Sequence, residues 1–270
     1  MEAKDVNHWC AILCAFLLLT LVTKGLLLSY DSPAAVKAGS GNLYDCPYVF
    51  MAAIPVAPPP PKPRVIVYID GFNLYYGVLK DTPHLKWLNL DRFCKLLRPH
   101  DDIQAIRYFT ALVTGPTAPN QEIFLKALAT TPIVNVVLGK FKEKMVKCRV
   151  TACVHPAAKI FRVPEEKRTD VNIAISMLDD AYQDLCDHSI LFSGDSDLVP
   201  AVNMVRHRFP AKKITVYVPF RVPIRGAAVE LRLAASVHRD LPLTLLSKSQ
   251  FPDALPDGAG GMLNRPADWT

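Results

Sequence analysis

The chain has 270 residues, of which 50% are hydrophobic and 21% are charged, so it can bury a sizeable core and is not globally disordered. Its net charge of +6 permits a nucleic-acid partner without requiring one. Seven cysteines in a chain of this length argue against a small disulfide-stapled protein.

The first part of the chain, residues 1–63, differs in composition from the rest. Residues 9–28 hold a long apolar run that would anchor the protein in a membrane, and residues 55–63 are rich in proline, which predicts a stiff linker. Met51 opens a sequence typical of a cytosolic N-terminus, so residues 1–50 are alternatively a spurious extension of the reading frame and the protein is cytoplasmic. Both interpretations stay open.

Residues 64–246 alternate between apolar runs typical of buried strands and segments of helical periodicity. We predict strands at 64–70, 103–113, 133–139, 189–195 and 212–218, and helices at 90–97 (capped by Asn89), 120–128 (capped by Asn120), 167–186, 198–207 and 227–235. Between them, residues 140–164 are predicted as short strands or a loop. The alternation predicts an α/β fold with a mainly parallel sheet covered on both faces. Residues 247–270 are rich in Pro, Gly and Asp, which predicts a flexible tail.

Aspartates stand where two of these strands end. Asp70 ends the first strand, Asp195 ends the fourth with Asp197 two residues later, and Asp170 opens the long helix on its inward stripe. Because ligands bind outside the carboxyl ends of parallel strands, we expect these acids to meet at one edge of the sheet. Clustered carboxylates without converging His or Cys suit Mg²⁺ or Mn²⁺. Each acid alone is equally typical of a helix cap or of a first helical turn.

Three segments together resemble a known family. RVIVYIDGFNLYYG at 64–77, EEKRTDVNIAISMLDDA at 165–181 and ILFSGDSDLVPAV at 190–202 are similar to the NYN domain, the LabA-like branch of the PIN-like nuclease superfamily. The resemblance implies a Rossmann-like, three-layer domain over residues 64–246, an acidic site for Mg²⁺ or Mn²⁺, and cleavage of RNA. The residues on the family's acidic-site positions are Asp70, Asn73, Asp170, Asp195 and Asp197, with the four aspartates as metal ligands.

One stretch departs from the family pattern. Some relatives carry a further acid one or two turns along the long helix, where this chain has Ile175, Ser176 and Met177. This difference weakens the case for two fully ligated metal ions. The sequence therefore predicts a metal-dependent ribonuclease, with a regulatory RNA- or protein-binding module of little or no turnover as the alternative.

In the predicted mechanism, metal ligation and substrate contact fall to different side chains. Asp70 and Asp195 would be inner metal ligands, and Asp170 and Asp197 would bind the ion directly or orient its waters. Hydrogen bonds to water or phosphate would come from Asn73 and from Ser193 or Ser196.

Basic and aromatic residues are candidates for RNA contact. No acid occurs between 198 and 229, a segment that carries Arg206, Lys212 and Lys213 together with Arg221 and Arg225. Five further cations lie between 140 and 149. Tyr75, Tyr76 and Trp87 would stack on bases, or pack in the core or in the interface of a homodimer.

Overall fold

Six parallel strands form the central sheet in the computed structural model, which describes residues 61–150, 160–220 and 228–270. Their spatial order is β3-β2-β1-β6-β7-β8. The strands of this sheet are β1 (Arg64–Asp70), β2 (Asp102–Thr110), β3 (Val134–Leu138), β6 (His188–Phe192), β7 (Lys213–Val218) and β8 (Val237–Asp240). Two antiparallel pairs lie outside it. One consists of β4 (Lys140–Lys147) and β5 (Ile160–Lys167), and the other of β9 (Ala254–Pro256) and β10 (Met262–Asn264).

Helices cover both faces of this sheet. They are α1 (Gly71–Leu74, continued by a π-helical turn over Tyr75–Leu79), α2 (Leu90–Leu97), α3 (Ala118–Ala129), α4 (Thr169–Tyr182), α5 (Val199–Arg208), α6 (Val229–Ala234) and α7 (Leu243–Ser247). A 3₁₀ turn over Ser196–Leu198 leads into α5.

The central strand β1 shows how the three layers are held together. Its side chains alternate between the two faces, as the two-residue period of a strand requires. Val65, Val67 and Ile69 are buried in the cluster that includes α2 and α3, whereas Ile66 and Tyr68 are buried in the cluster that includes α4, α5 and α6. A strand buried on both faces explains the near-continuous apolar run in the sequence. The predicted Rossmann-like α/β fold is confirmed.

The strand order places a topological switch point between β1 and β6. From β1 the sheet grows through β2 to β3, and from β6 it grows in the opposite direction through β7 to β8. The segments that follow these two neighbouring strands therefore diverge and leave a crevice at their carboxyl ends. This crevice receives Asp70 from the end of β1 and the segment 193–197 that follows β6.

Most predicted elements occur close to their expected bounds, and three differ. The Asn89 side chain caps α2 by accepting from Arg92 N, as predicted, but α3 begins at Ala118, so Asn120 lies inside its first turn. The long helix α4 is shorter than predicted because Arg168 before it (φ 80°) and Asp184 after it (φ 54°) take left-handed conformations that a helix does not continue. Strand β8 was not predicted from the sequence.

Residues 140–167 contain a hairpin rather than a strand of the main sheet. Strands β4 and β5 pair with each other from Lys140–Lys167 to Lys147–Ile160. The hairpin leaves the carboxyl end of β3 through Gly139 and returns at Arg168 into α4. Its base therefore lies at the same edge of the sheet as the switch point.

The segment 247–270 is packed, which differs from the expectation of a flexible tail. Phe251 and Leu255 are buried in the core, and Trp269 stacks edge-to-face on Trp87 with ring centroids 6.2 Å apart. The Trp87 Nε1–H donates to the Pro252 carbonyl at 2.8 Å. The Pro and Gly content misled the prediction because the apolar residues between them provide the packing.

Of the predicted N-terminal segment 1–63, residues 1–60 lie outside the described ranges. This concerns both the apolar run at 9–28 and most of the proline-rich stretch. Among the residues that the structure does describe, no helix is long and apolar enough to cross a membrane.

Candidate metal centre at the switch point

Three aspartates converge at the switch point. Asp170 comes from the first turn of α4, and Asp195 and Asp197 come from the 3₁₀ turn after β6. One carboxylate oxygen of each lies within 4.8 Å of the others. Asp170 and Asp195 are half-buried and Asp197 is exposed, so the group is open to solvent on one side. We call these three residues the acidic triad.

Local hydrogen bonds fix the turn that carries two members of the triad. The Asp195 side chain accepts from the Asp197 backbone N–H at 2.9 Å, which makes it the cap of the 3₁₀ turn. Capping and a place in the acidic triad are therefore not alternatives at this position.

The fourth predicted ligand, Asp70, does not belong to the triad. It is only 2% exposed, and three donors hold its carboxylate. Its Oδ1 accepts from Asn73 N at 3.0 Å, and its Oδ2 accepts from Asn73 Nδ2 at 2.6 Å and from Ser193 Oγ at 3.0 Å. Burial raises the pKa of Asp70, and the nearby charge of Asp195 raises it further. The structure thus places Asp70 within electrostatic reach of the triad.

Asn73 and Ser193 join the ends of β1 and β6. Besides donating to Asp70, Asn73 accepts through Oδ1 from the backbone N–H of Gly194 at 3.0 Å. Ser193 donates to Asp70 and accepts from the Asp195 N–H at 3.1 Å. The Ser193 side chain is completely buried and bridges Asp70 and Asp195, while its predicted hydrogen bond to water or phosphate stays a prediction. Ser196 is exposed beside the triad.

Glu166 is a further acid of the site that sequence reasoning missed. It lies on β5 and accepts a hydrogen bond from the Thr169 hydroxyl. Burial, with the charges of Asp70 and Asp170, raises its pKa to about 7. The residue stands in the segment EEKRTD that carries the family resemblance, but its strand was not predicted, so nothing placed it at this edge.

The carboxylates of this site carry negative charge that no salt bridge within the described residues neutralises. The pKa of Asp170 is raised to about 6 by burial and then by the charges of Asp195, Asp70 and Asp197. Within the described ranges, none of these carboxylates or Glu166 forms a salt bridge. A donor set made only of carboxylate oxygens, close together and repelling one another, fits a hard divalent cation.

The predicted basic residues do not reach this site. Arg206, near the end of α5, donates to the Ala234 carbonyl at 2.6 Å, and Lys212 donates to the Cys186 carbonyl at 2.6 Å. Lys212 and Lys213 stand where β7 begins, at the amino edge of a parallel sheet whose acids lie at the carboxyl edge. Six residues of strand separate the two edges by about 20 Å. Arg206, Lys212 and Lys213 therefore lie away from the acidic triad, their contact with a substrate stays a prediction, and Arg221 and Arg225 lie outside the described residues.

The basic segment that does lie near the site is the β4–β5 hairpin. In its antiparallel register Phe141 stands opposite Glu166, so the hairpin base adjoins the acids. Side chains on one face of the hairpin are Lys140, Lys142, Lys144 and Lys167, with Glu165 among them. Glu165 pairs with Lys144 at 3.3 Å and with Lys167 at 3.0 Å.

The fold and the site together define a class of protein. It is an α/β protein with a Rossmann-like strand order, a nuclease-like fold and a cluster of carboxylates at its switch point. The chain belongs to the NYN domain family, whose family model matches residues 64–241. This membership is consistent with the PIN-like superfamily and confirms the resemblance seen in the sequence.

Individual proteins are also similar to the chain. A curated relative is 28% identical over 226 residues, covering 72% of each chain, and is named 6-hydroxy-3-succinoylpyridine 3-monooxygenase HspA from Pseudomonas putida. A crystal structure of a protein of unknown function from Vibrio parahaemolyticus is 21% identical and covers 67% of this chain and 93% of its own, with a TM-score of 0.44.

Proposed function

We propose that the protein is a metal-dependent ribonuclease that hydrolyses phosphodiester bonds at the acidic triad. The observation that carries the proposal is the approach of Asp170, Asp195 and Asp197 to within 4.8 Å at the switch point of an NYN domain. RNA as substrate, Mg²⁺ or Mn²⁺ as the ion and the LabA-like branch are all parts of the proposal. A homodimer and a cytoplasmic location stay predictions.

Each acid has a distinct task in this scheme. Asp170, Asp195 and Asp197 would hold the ion, and Glu166 is a further oxygen donor at the same edge. A bound ion would offset the negative charge that develops on the phosphate group. Asp70 is a positioning residue, because its carboxylate organises Asn73 and Ser193 and through them the turn that carries Asp195.

The hairpin supports a polyanionic substrate. Lys140 and Lys167 stand at the base of the hairpin, on the face opposite to Phe141 and Glu166, and phosphates that pass around this base would need such cationic partners. The triad itself repels phosphate until an ion is bound, so attraction for RNA has to come from such neighbouring cations.

The test is cleavage of an end-labelled RNA by the full chain in Mg²⁺ or Mn²⁺, compared with the same reaction in EDTA. Asp170→Asn is the sharpest variant because it removes one carboxylate charge of the triad while keeping the size of the side chain. Asp179→Asn is the matched control, since Asp179 is exposed on the same helix about 13 Å further along. We expect metal-dependent cleavage by the wild type and by Asp179→Asn, and none by Asp170→Asn.

Two other results would point to other functions. Binding of RNA without cleavage in either ion would favour the regulatory module. The name of the Pseudomonas putida relative favours a second candidate, monooxygenation of a pyridine. The sequence after β1 reads Asp70-Gly71-Phe72 and lacks the glycine-rich dinucleotide fingerprint. Incubation with 6-hydroxy-3-succinoylpyridine, ¹⁸O₂ and a two-electron reductant, with mass analysis of all products for incorporated ¹⁸O, tests this candidate.

A further inference from the structure

A row of three aromatic rings runs outward from the candidate metal centre. Phe72 stacks on Tyr76 with centroids 6.2 Å apart and an interplanar angle of 22°, and it meets Phe141 edge-to-face at 5.5 Å. Tyr75 contacts Tyr76 edge-to-face at 5.2 Å. We call Phe141, Phe72 and Tyr76 the aromatic row.

The inner end of the row adjoins the acids. Phe72 lies in the sequence between Asp70 and Asn73, and Phe141 stands opposite Glu166 in the hairpin register. Both rings are half-buried. The inner part of the row is therefore a structural bridge between α1 and the hairpin, and its outer part leads away from the site.

The outer end of the row is exposed and carries a cation. Tyr76 is 62% exposed, which leaves a large aromatic surface in water. The Lys80 ammonium lies 5.5 Å from the centre of the Tyr76 ring, and the Lys86 ammonium lies at the same distance from the Tyr75 ring. Because the Lys80 ammonium lies over the exposed ring, a base would stack there once Lys80 turns towards the phosphate, and the pair then offers a stacking surface for the base and a positive charge for the phosphate.

The acidic site favours a substrate contact that does not depend on the charge of the phosphates. Four aspartates and Glu166 repel a polyanion, so phosphate contacts alone bind weakly at this edge. Stacking of a base is unaffected by that repulsion because a nucleobase is uncharged. It also needs a base whose face is free, which a duplex does not offer.

We propose that Tyr76 and Lys80 form a stacking subsite for a nucleobase a short distance along the strand from the acidic triad, and that this subsite selects single-stranded over duplex RNA. The assignment rests on the proposed function for its choice of RNA. The inner rings Phe72 and Phe141 hold Tyr76 in position, and Lys80 meets the phosphate of the stacked nucleotide.

The test measures binding rather than cleavage, by fluorescence anisotropy in EDTA at fixed salt. Three labelled probes are compared: a single-stranded RNA, its duplex, and the same strand with abasic positions. The variants are Tyr76→Ala, Tyr76→Phe and Tyr182→Ala. Tyr182 is the matched control because it is 60% exposed and packs edge-to-face on the ring of Phe209. It lies at the end of α4, about 20 Å from the start of that helix, where Asp170 is located.

We expect Tyr76→Ala to weaken binding of the single strand about tenfold, which is the usual cost of losing one stacked base. Tyr76→Phe keeps the ring and should bind like the wild type, as should Tyr182→Ala. The duplex and the abasic strand should bind more weakly and should not respond to Tyr76→Ala. Lys80→Ala should lower the salt dependence for the single strand by about 0.7 in logarithmic slope.

Two outcomes overturn the subsite: Tyr76→Ala binds the single strand as well as Tyr182→Ala does, or it weakens binding of the abasic strand equally. Melting curves of the variants show whether a loss reflects unfolding, and Tyr76→Phe must then restore binding. If the ring is needed for binding but RNA is never cleaved in Mg²⁺ or Mn²⁺, the ribonuclease proposal fails and the subsite stands. If RNA is cleaved and the ring has no effect on binding, the subsite fails and the ribonuclease proposal stands.

Discussion

Both edges of the central sheet carry a cluster of aspartates, but the two clusters differ in their counter-charges. At the amino edge Asp187 accepts from the Arg64 backbone N–H at 2.9 Å and from its guanidinium at 2.7 Å, while Asp184 pairs with Arg64 at 3.1 Å and with Lys212 at 2.5 Å. The hydrogen bonds from Arg64 lower the pKa of Asp187 to about 2.

At the carboxyl edge the same kind of side chain behaves in the opposite way. The pKa of Asp170 is raised to about 6 and that of Glu166 to about 7, because burial and neighbouring carboxylates disfavour their charge. Aspartates at the edge of a sheet therefore do not by themselves indicate a functional site. The amino-edge cluster stabilises the fold, whereas the carboxyl-edge cluster is kept at a cost in stability, which is typical of a functional site.

The largest expected effect follows from neutralising one acid at each edge. Asp170→Asn should lower metal-dependent RNA cleavage by at least about 100-fold, because it removes one of three ligands. Asp187→Asn should leave cleavage within about twofold of the wild type, since its partners all lie at the other edge. Initial rates at saturating metal, with RNA as substrate, give both numbers. Equal losses in the two variants would contradict the division of roles between the edges.

The next effect concerns the side chains that orient the acids. Asn73→Ala and Ser193→Ala each remove hydrogen bonds to Asp70 and to the turn after β6, and we expect each to lower cleavage about 10- to 100-fold. Because these residues act through others, the loss should appear together with a raised metal concentration for half-maximal rate. Isothermal titration with Mn²⁺ checks this, and unchanged metal affinity in both variants would exclude the positioning role.

The fold was largely predictable because its signals are local. The apolar run of β1 and the cap at Asn89 follow from burial on both faces and from a side-chain acceptor, and both can be read from neighbouring residues. The packing of residues 247–270 was not predictable, since Trp269 finds Trp87 across 182 positions of the chain. Nothing local distinguishes such a partner from solvent.

The site was predictable only in part for the same reason. Asp170, Asp195 and Asp197 follow from the position of strand ends and a helix start, which the topology brings together. Whether a cation accompanies an acid depends on tertiary contacts, so the sequence alone does not show that Lys212 pairs with Asp184 at the opposite edge. Glu166 was missed because the sequence does not predict the strand that carries it.

The two edges should also respond oppositely in stability. A carboxyl group whose pKa is raised on folding destabilises the folded state above that pKa. Asp170→Asn should therefore raise the free energy of unfolding at pH 7.5 by about 1 kcal/mol, after allowance for solvent screening. This gain should vanish towards pH 4, where the carboxyl group is protonated in both states. A carboxyl group whose pKa is lowered stabilises the fold at neutral pH, so Asp187→Asn should cost about 1 kcal/mol, and this cost should disappear as the pH falls towards 2. Urea unfolding without metal at several pH values measures both differences.

The smallest expected effect separates the lysines of the two edges. Lys142 lies two residues from the hairpin base on the lysine-bearing face, which is opposite to Glu166, so Lys142→Ala should weaken RNA binding by a few-fold and lower its salt slope by about 0.7, the contribution of one phosphate contact. Lys212→Ala should leave both quantities unchanged and instead lower stability, because its ammonium holds Asp184 and the Cys186 carbonyl. Anisotropy titrations at several salt concentrations, with urea unfolding of the same preparations, distinguish the two. A fall in RNA affinity for Lys212→Ala but not for Lys142→Ala would move the substrate to the amino edge and away from the triad.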